Sequence, residues 1–302
     1  MASQFITTDL SKSKIAIIGG GGFIGSSICC ELSKSKLNVY LTSRTLRKFD
    51  GNFVEFDLLN SDTWDLLLKT IKPDIVINTA WETEHNKYWD KETNKDFMKS
   101  TINFATACFT SGVQSFLGIG SGSEYGYSPG KCNALKTPLN PQDLYSESKV
   151  LTSIKLKEIA NNFGRKAHWV RLFQPFGPGE KTKRLIPSLI RDMSNGFPVE
   201  IKFPNHKLDF THTDRIAYAI KLIAANDLDY SINIGTGKAT RIKDIVLFLA
   251  DIINFPKKNI DFKAQNSNER IIYVDPDPKI YLGPNGIKVD LHKDLRSILH
   301  IK

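Results

Sequence analysis

Residues 15–25 read Ile15-Ala16-Ile17-Ile18-Gly19-Gly20-Gly21-Gly22-Phe23-Ile24-Gly25, and an apolar helical pattern continues to about Ser35. Four consecutive apolar residues make a strand buried on both faces, as in a parallel sheet. The glycines that follow, spaced as Gly19-x-x-Gly22-x-x-Gly25, stand at a strand-to-helix turn. Such a turn lets backbone N–H groups at a helix N-terminus meet a pyrophosphate with no side chain in the way. Alone, this spacing also describes a flexible turn. Its place after a buried strand and before an apolar helix makes it a dinucleotide site.

Outward from it, short β-branched runs alternate with helical patterns. Strands are predicted at Val39–Thr42, Phe53–Phe56, Asp74–Asn78, Ser115–Ile119 and His168–Leu172. Helices are predicted over Ser61–Ile71, with Ser61 as N-cap, and near residues 93–111. This alternation predicts an α/β fold, a doubly wound parallel sheet of the Rossmann type covered on both faces. From about Pro175 prolines and glycines become denser, and helices return at Pro187–Asn195, Arg215–Ala224 and Thr240–Ile253. The last places Ile242, Ile245, Val246, Leu249 and Ile252 on one stripe. The expected partition is a dinucleotide-binding domain over residues 12–173 and a smaller substrate-binding lobe over residues 174–302. Residues from about 209 to 234 are expected to return to the first domain.

Composition bounds the rest. The 302 residues carry 41 Lys+Arg against 32 Asp+Glu, a formal charge of +9, and are 41% hydrophobic and 24% charged. That suits a sizeable core and excludes disorder. No apolar run approaches the ~18–20 residues that span a bilayer, and Met1–Ser13 lacks the apolar centre of a signal peptide. A cytoplasmic protein with no membrane partner is expected. Cys29, Cys30, Cys108 and Cys132 have neither zinc nor redox-pair spacing and read as buried thiols in a reducing compartment. His206 and His212 show no metal-ligand spacing, so no metal is expected. The modest basicity suits a polyanionic small ligand; it is compatible with weak nucleic-acid contact, but no nucleic-acid partner is expected.

The end of the second strand selects between the nicotinamide cofactors. An NAD site usually places Asp or Glu there to hold the ribose hydroxyls. Here the strand ends Leu41-Thr42-Ser43-Arg44, with Arg47 and Lys48 close behind and no carboxylate before Asp50. A hydroxyl followed by arginine fits a 2′-phosphate, so NADP(H) is favoured over NAD(H). Further on, Tyr145-Ser146-Glu147-Ser148-Lys149 puts a Tyr and a Lys four residues apart on one helix face. An ammonium beside the phenol is expected to lower its pKa and suit it to proton transfer.

Together with Asp57-Leu58, Asn78-Thr79-Ala80 and Ser121-Gly122-Ser123-Glu124-Tyr125-Gly126, these parts form a pattern that resembles a known family. Arg171-Leu172-Phe173-Gln174-Pro175-Phe176-Gly177-Pro178-Gly179, Asp209-Phe210-Thr211-His212-Thr213-Asp214 and Asn233-Ile234-Gly235-Thr236-Gly237 complete it. The chain resembles, over nearly its whole length, the extended short-chain dehydrogenase/reductases, in the NAD(P)-dependent epimerase/dehydratase group acting on nucleotide sugars. The resemblance implies that Ser121 hydrogen-bonds the substrate oxygen, Tyr145 exchanges its proton, and Lys149 also holds the nicotinamide ribose. It implies that Gly19, Gly22, Phe23, Ile24 and Gly25 cradle the pyrophosphate and that Asp57 and Leu58 frame the adenine. Thr79, Ala80, Phe173 and Pro175 would border the cofactor, and Ser123, Gln174, Arg184 and Arg270 the substrate.

Departures from the pattern narrow the reaction. The Asp-Glu pair that dehydratases of the group carry is Gly122 and Ser123 here. The Cys and His of the 3,5-epimerase/reductases are Ser123 and Arg184. The family's arginine before Asp209 is Leu208, which touches diphosphate binding, and the usual helix asparagine falls near Asp96 or Phe97. His85 reads as a surface residue and Trp64, Trp81, Trp89 and Trp169 chiefly as core, although Trp81 and Trp89 flank the site and could wall it. The expectation is an NADPH-dependent reductase of a nucleotide-linked 4-keto-6-deoxy sugar. A nucleotide-sugar epimerase with retained cofactor is the alternative, and a non-catalytic dinucleotide or RNA binder is less favoured. Relatives often dimerise through two helices, here those near 95–111 and 148–163, so a homodimer is expected.

Overall fold

In the computed structural model, residues 9–45, 51–84, 88–226, 228–263, 269–276 and 290–299 are described. The first half of the chain contributes β1 (Lys14–Ile18), α1 (Phe23–Lys34), β2 (Asn38–Ser43), β3 (Asn52–Glu55), α2 (Asp62–Ile71), β4 (Ile75–Asn78), α3 (Thr93–Thr110), β5 (Ser115–Ser121), β6 (Gly130–Cys132) and α4 (Leu144–Phe163). The second half adds β7 (Lys166–Leu172), β8 (Gln174–Phe176), α5 (Leu185–Ser194), β9 (Val199–Ile201), β10 (Lys207–Leu208), β11 (Phe210–His212) and α6 (Thr213–Ala225). Then come β12 (Ser231–Ile234), β13 (Thr240–Arg241), α7 (Ile242–Ile253), β14 (Ile260–Phe262), β15 (Ile271–Val274) and α8 (Leu291–Leu299).

Seven strands form one parallel sheet in the order β3-β2-β1-β4-β5-β7-β12. The apolar run that opens the chain lies at its centre, and strand periodicity divides its side chains between two faces. Ile15 and Ile17 pack with Ile28, Leu32, Ile216 and Ile220 under α1 and α6. Ala16 and Ile18 pack with Leu67, Ile71, Phe104 and Leu156 under α2, α3 and α4. The strand order reverses between β1 and β4, and ligands of open α/β sheets bind at the crevice outside such a point.

The remaining strands are short. A four-stranded sheet runs β13-β10-β15-β6, while β8 pairs with β11 and β9 with β14. A separate core that includes Leu189, Val246, Leu249, Ile272 and Leu295 fills this lobe. Gly130–Cys132 departs from the expected partition, because it precedes residue 173 yet pairs with Ile272–Val274 of the lobe. Ser231–Ile234 joins the large sheet beside Trp169–Leu172.

Some local expectations are corrected. Ser61 is helical and makes no capping hydrogen bond; Asn60 Oδ1 accepts from the Asp62 N–H at 3.1 Å instead. The helix expected from Pro187 starts at Leu185, since proline fits the first turn, where its missing N–H is not needed. Thr240–Arg241 is a strand, so that helix starts at Ile242. Cys30 is exposed, whereas Cys29, Cys108 and Cys132 are buried. Trp169 is core, but Trp64, Trp81 and Trp89 are only half-buried. Among the described residues, no helix is long and apolar enough to cross a membrane.

Candidate active site

Ile18, Ser43, Thr79, Ser121 and Leu172, at or just beyond the ends of their strands, line one cleft of about 770 Å³. At its floor is the glycine turn. Gly22 precedes α1 and supplies no side chain to cap it, so the free amides of the first helical turn belong to the cleft wall. A Cβ on Gly25 would stand 2.3 Å from the Gly19 carbonyl oxygen, and Gly19 itself takes φ +73°. The turn therefore closes against its own helix in a way that any side chain would break. Thr79 Oγ1 donates to the Ile18 carbonyl at 2.8 Å and pins this turn to β4. An apolar-backed ring of amides at a helix N-terminus suits a pyrophosphate, so the residues present fit a dinucleotide.

Ser43 and Arg44 line the cleft beyond β2, and Asp57 and Leu58 line it beyond β3. Arg47, Lys48, Asp50 and His85 lie outside the described residues.

At the other end of the cleft the three candidate catalytic groups meet. Asp143 caps α4, accepting from the Ser146 N–H at 2.7 Å, which fixes the helix start immediately before Tyr145. Tyr145 is buried, and the Ser121 side chain is close enough to its phenol to pull the phenol's pKa down. Ser121 Oγ accepts from Ser123 Oγ at 2.8 Å, and its N–H donates to Glu124 Oε1 at 2.8 Å. Glu124 is fully buried and binds Arg171 Nε at 2.6 Å and Trp169 Nε1 at 3.0 Å. Gly118 and Gly120 make room for that indole, because a Cβ on either would stand within 2.6 Å of it. Lys149 Nζ donates to the Ile119 carbonyl at 2.8 Å and lies 3.6 Å from the centroid of the Trp81 ring.

Electrostatics here differ from the sequence expectation. Burial raises the Tyr145 phenol well above its ordinary value, Tyr88 adds to the rise, and the neighbouring Ser121 hydroxyl opposes it. Burial pushes Lys149 down to about 7, with Glu124 pulling the other way. Lys149 therefore does not depress the phenol as its spacing suggested: both groups sit in a desolvated wall of Trp81, Tyr88 and Trp89, whose rings meet the Tyr145 ring edge-on at 6.3, 4.8 and 5.6 Å. The pair remains suited to proton transfer, with a protonated phenol and an amine that titrates near neutrality.

Every candidate site residue read from the sequence lines this one cleft: Gly19, Gly22, Phe23, Ile24 and Gly25; Ser43 and Arg44; Asp57 and Leu58; Thr79 and Ala80; Ser121 and Ser123; Tyr145 and Lys149; Phe173, Gln174 and Pro175; Arg184 and Arg270. Leu208 lines it too, while Lys207 Nζ lies 3.8 Å from Glu269. Arg270 Nε donates to the Tyr127 carbonyl at 3.0 Å, which fixes the guanidinium's approach. The reading missed Tyr88, Glu180 and Lys181 as cleft residues. Glu180 directly follows Gly177-Pro178-Gly179, so the loop motif could have drawn attention to it, but not to its burial.

The sequence model of the NAD dependent epimerase/dehydratase family matches residues 15–235. The chain is similar to dTDP-4-dehydro-6-deoxyglucose reductase of Escherichia coli, at 24% identity over 96% of this chain and 93% of the relative. Among solved structures it superposes on the UDP-glucose 4-epimerase of Thermotoga maritima with UDP-glucose, with TM-score 0.82, 22% identity, and 95% and 97% of the two chains covered. The UDP-glucose 4-epimerase of Thermus thermophilus in complex with NAD gives TM-score 0.77 at 18% identity, again covering 95% and 97%. These likenesses show the same fold.

Proposed function

The chain belongs to the NAD dependent epimerase/dehydratase family, and from that premise we propose that it is an NADPH-dependent reductase of a nucleotide-linked 4-keto-6-deoxy sugar. The observation that carries this reading is the site around Ser121: Ser121, Tyr145 and Lys149 meet on one cleft wall, and Ser121 is followed by Gly122 and Ser123 rather than an acid pair. Neither residue can eliminate water at neutral pH, whereas the phenol can deliver a proton to an oxygen.

Gly19, Gly22, Phe23, Ile24 and Gly25 would hold the cofactor's pyrophosphate. Ser43 and Arg44 would take its 2′-phosphate, Asp57 and Leu58 its adenine. Thr79, Ala80, Phe173 and Pro175 would flank its nicotinamide, and Lys149 its ribose. Bound NADPH supplies a hydride to the keto carbon. Tyr145 gives its proton to the oxygen that forms, and Ser121 holds that oxygen by a hydrogen bond. A charged Lys149 stabilises the phenolate left behind. Arg184 and Arg270 would bind the diphosphate, Ser123 and Gln174 the sugar. A homodimer through α3 and α4 belongs to the same proposal, supported by exposed Leu151 and Ile154 on α4.

A second reading, a nucleotide-sugar epimerase with retained cofactor, is supported by the likeness to UDP-glucose 4-epimerases and by the NAD bound in one of them. The test is the absorbance of reduced nicotinamide in mixtures of protein, NADPH or NADH, and GDP-, CDP-, dTDP- and UDP-linked 4-keto-6-deoxy sugars generated in situ. Sugar-dependent NADPH oxidation supports the reductase. C4 epimers formed without cofactor consumption support the epimerase.

A further inference from the structure

Glu180 is an acid of the cleft that takes no part in the scheme above. Glu180 lies between β8 and α5; it lines the cleft, yet its side chain is only 4% exposed. Its Oε1 faces Arg184 Nε at 3.8 Å, longer than a charge-assisted hydrogen bond. Its Oε2 is buried and meets no donor among the described residues. Burial pushes the carboxyl up to about 7, and the Arg184 charge and the Gly177 N–H offset only part of this. The neighbouring guanidinium therefore does not saturate it.

The surroundings say which part of a ligand could. The Arg184 charge is close enough to the Tyr88 phenol to lower its pKa, and the Tyr88 ring lies 4.8 Å from the Tyr145 ring, centroid to centroid. Glu180 is thus connected, through Arg184 and Tyr88, to the phenol at the reacting end of the cleft, not to the Ser43–Arg44 end. In its ionised form Glu180 cannot bind a phosphate oxygen, since both are negative acceptors. It needs an O–H or N–H donor, and next to the reacting carbon the donors of a nucleotide sugar are its ring hydroxyls.

We infer that Glu180 is a specificity-determining residue whose Oε2 accepts a hydrogen bond from a hydroxyl of the substrate's sugar ring, while Arg184 beside it serves the diphosphate. The inference rests on the nucleotide-sugar reading given above. It divides recognition within a single loop: the guanidinium holds the charged linker and the carboxylate reads the neutral ring. A buried group that lacks its partner penalises any ligand without the donor, which is how a site rejects an analogue missing one hydroxyl.

The test compares each sugar conjugate with its bare diphosphate by calorimetry in the presence of NADP+: UDP-glucose with UDP, dTDP-glucose with dTDP, and GDP-mannose with GDP. For a pair that the native protein binds, Glu180→Ala weakens the sugar conjugate at least tenfold and leaves the bare diphosphate within twofold. Glu180→Gln, which keeps an acceptor, recovers most of the loss. Glu180→Leu repeats the comparison should the alanine variant not fold. Equal weakening of conjugate and diphosphate would make Glu180 a support of its loop and overturn the inference, as would no change in either. If the native protein binds none of these conjugates, nor CDP-glucose titrated beside CDP in the same way, the nucleotide-sugar reading fails and takes the inference with it. The native titration alone tells that outcome from the others.

Discussion

The ammonium nitrogen of Lys149 lies 3.6 Å from the centroid of the Trp81 ring and donates to the Ile119 carbonyl at 2.8 Å, and the side chain is buried in the cleft wall. Burial lowers its pKa to about 7, against about 10.4 for an exposed lysine. Between those two values the unfolded chain binds the proton and the native chain does not, so this residue makes stability rise with pH. Its cost is fully present below about 7 and vanishes above the unfolded value. In the cofactor-free protein, Lys149→Met is therefore expected to melt above the native chain under mildly acidic conditions. The gap should narrow as the pH is raised toward the unfolded lysine range. Melting curves that run parallel across the range would show that Lys149 keeps its charge.

Tyr145→Phe removes the proton donor but keeps a ring of the same shape among Trp81, Tyr88 and Trp89. Turnover should drop by about 10²- to 10⁴-fold, while NADPH affinity, read by fluorescence of the bound nicotinamide, stays within a few-fold. A variant that keeps its rate would move the proton transfer to another residue.

Arg44 is the first charged residue beyond β2 and lines the cleft. A charge-assisted hydrogen bond to a 2′-phosphate is worth roughly 1.5–3 kcal/mol, about ten- to a hundredfold in affinity. Arg44→Ala should weaken NADPH by that factor and leave NADH unchanged. Equal effects on the two cofactors would remove the basis for NADP preference.

The strand, glycine turn and helix at residues 14–34 were legible in the sequence because local periodicity and backbone requirements fix them. The lobe after Phe173 was less so: β10 and β13 are two residues long, and β6 finds its partner in β15, so no local period announces them. Tyr145 and Lys149 were legible from a spacing of one helical turn, but their pKa directions were not. Those depend on Trp81, Tyr88 and Trp89, brought in from the segment between β4 and α3. Glu180 was hidden for the same reason, since burial of a loop carboxyl is a property of packing.

Glu124 gathers the Ser121 N–H, the Trp169 indole and the Arg171 guanidinium around one buried carboxylate. Glu124→Gln leaves the Arg171 charge buried without its counter-ion, and breaking such a pair costs about 3–5 kcal/mol. Denaturant titration should show that loss as a shifted midpoint with unchanged slope. A shift well below this range would mean that solvent or Tyr125 compensates Arg171.

The central claim is that the cleft passes a hydride outward to a keto sugar, and NADPH deuterated at the transferable position of the nicotinamide tests it most directly. With the 4-keto-6-deoxy sugar that is turned over, the account predicts one deuterium at the new carbinol carbon of the product for each NADP+ formed. A product that carries no deuterium, formed with no net loss of NADPH, would contradict it.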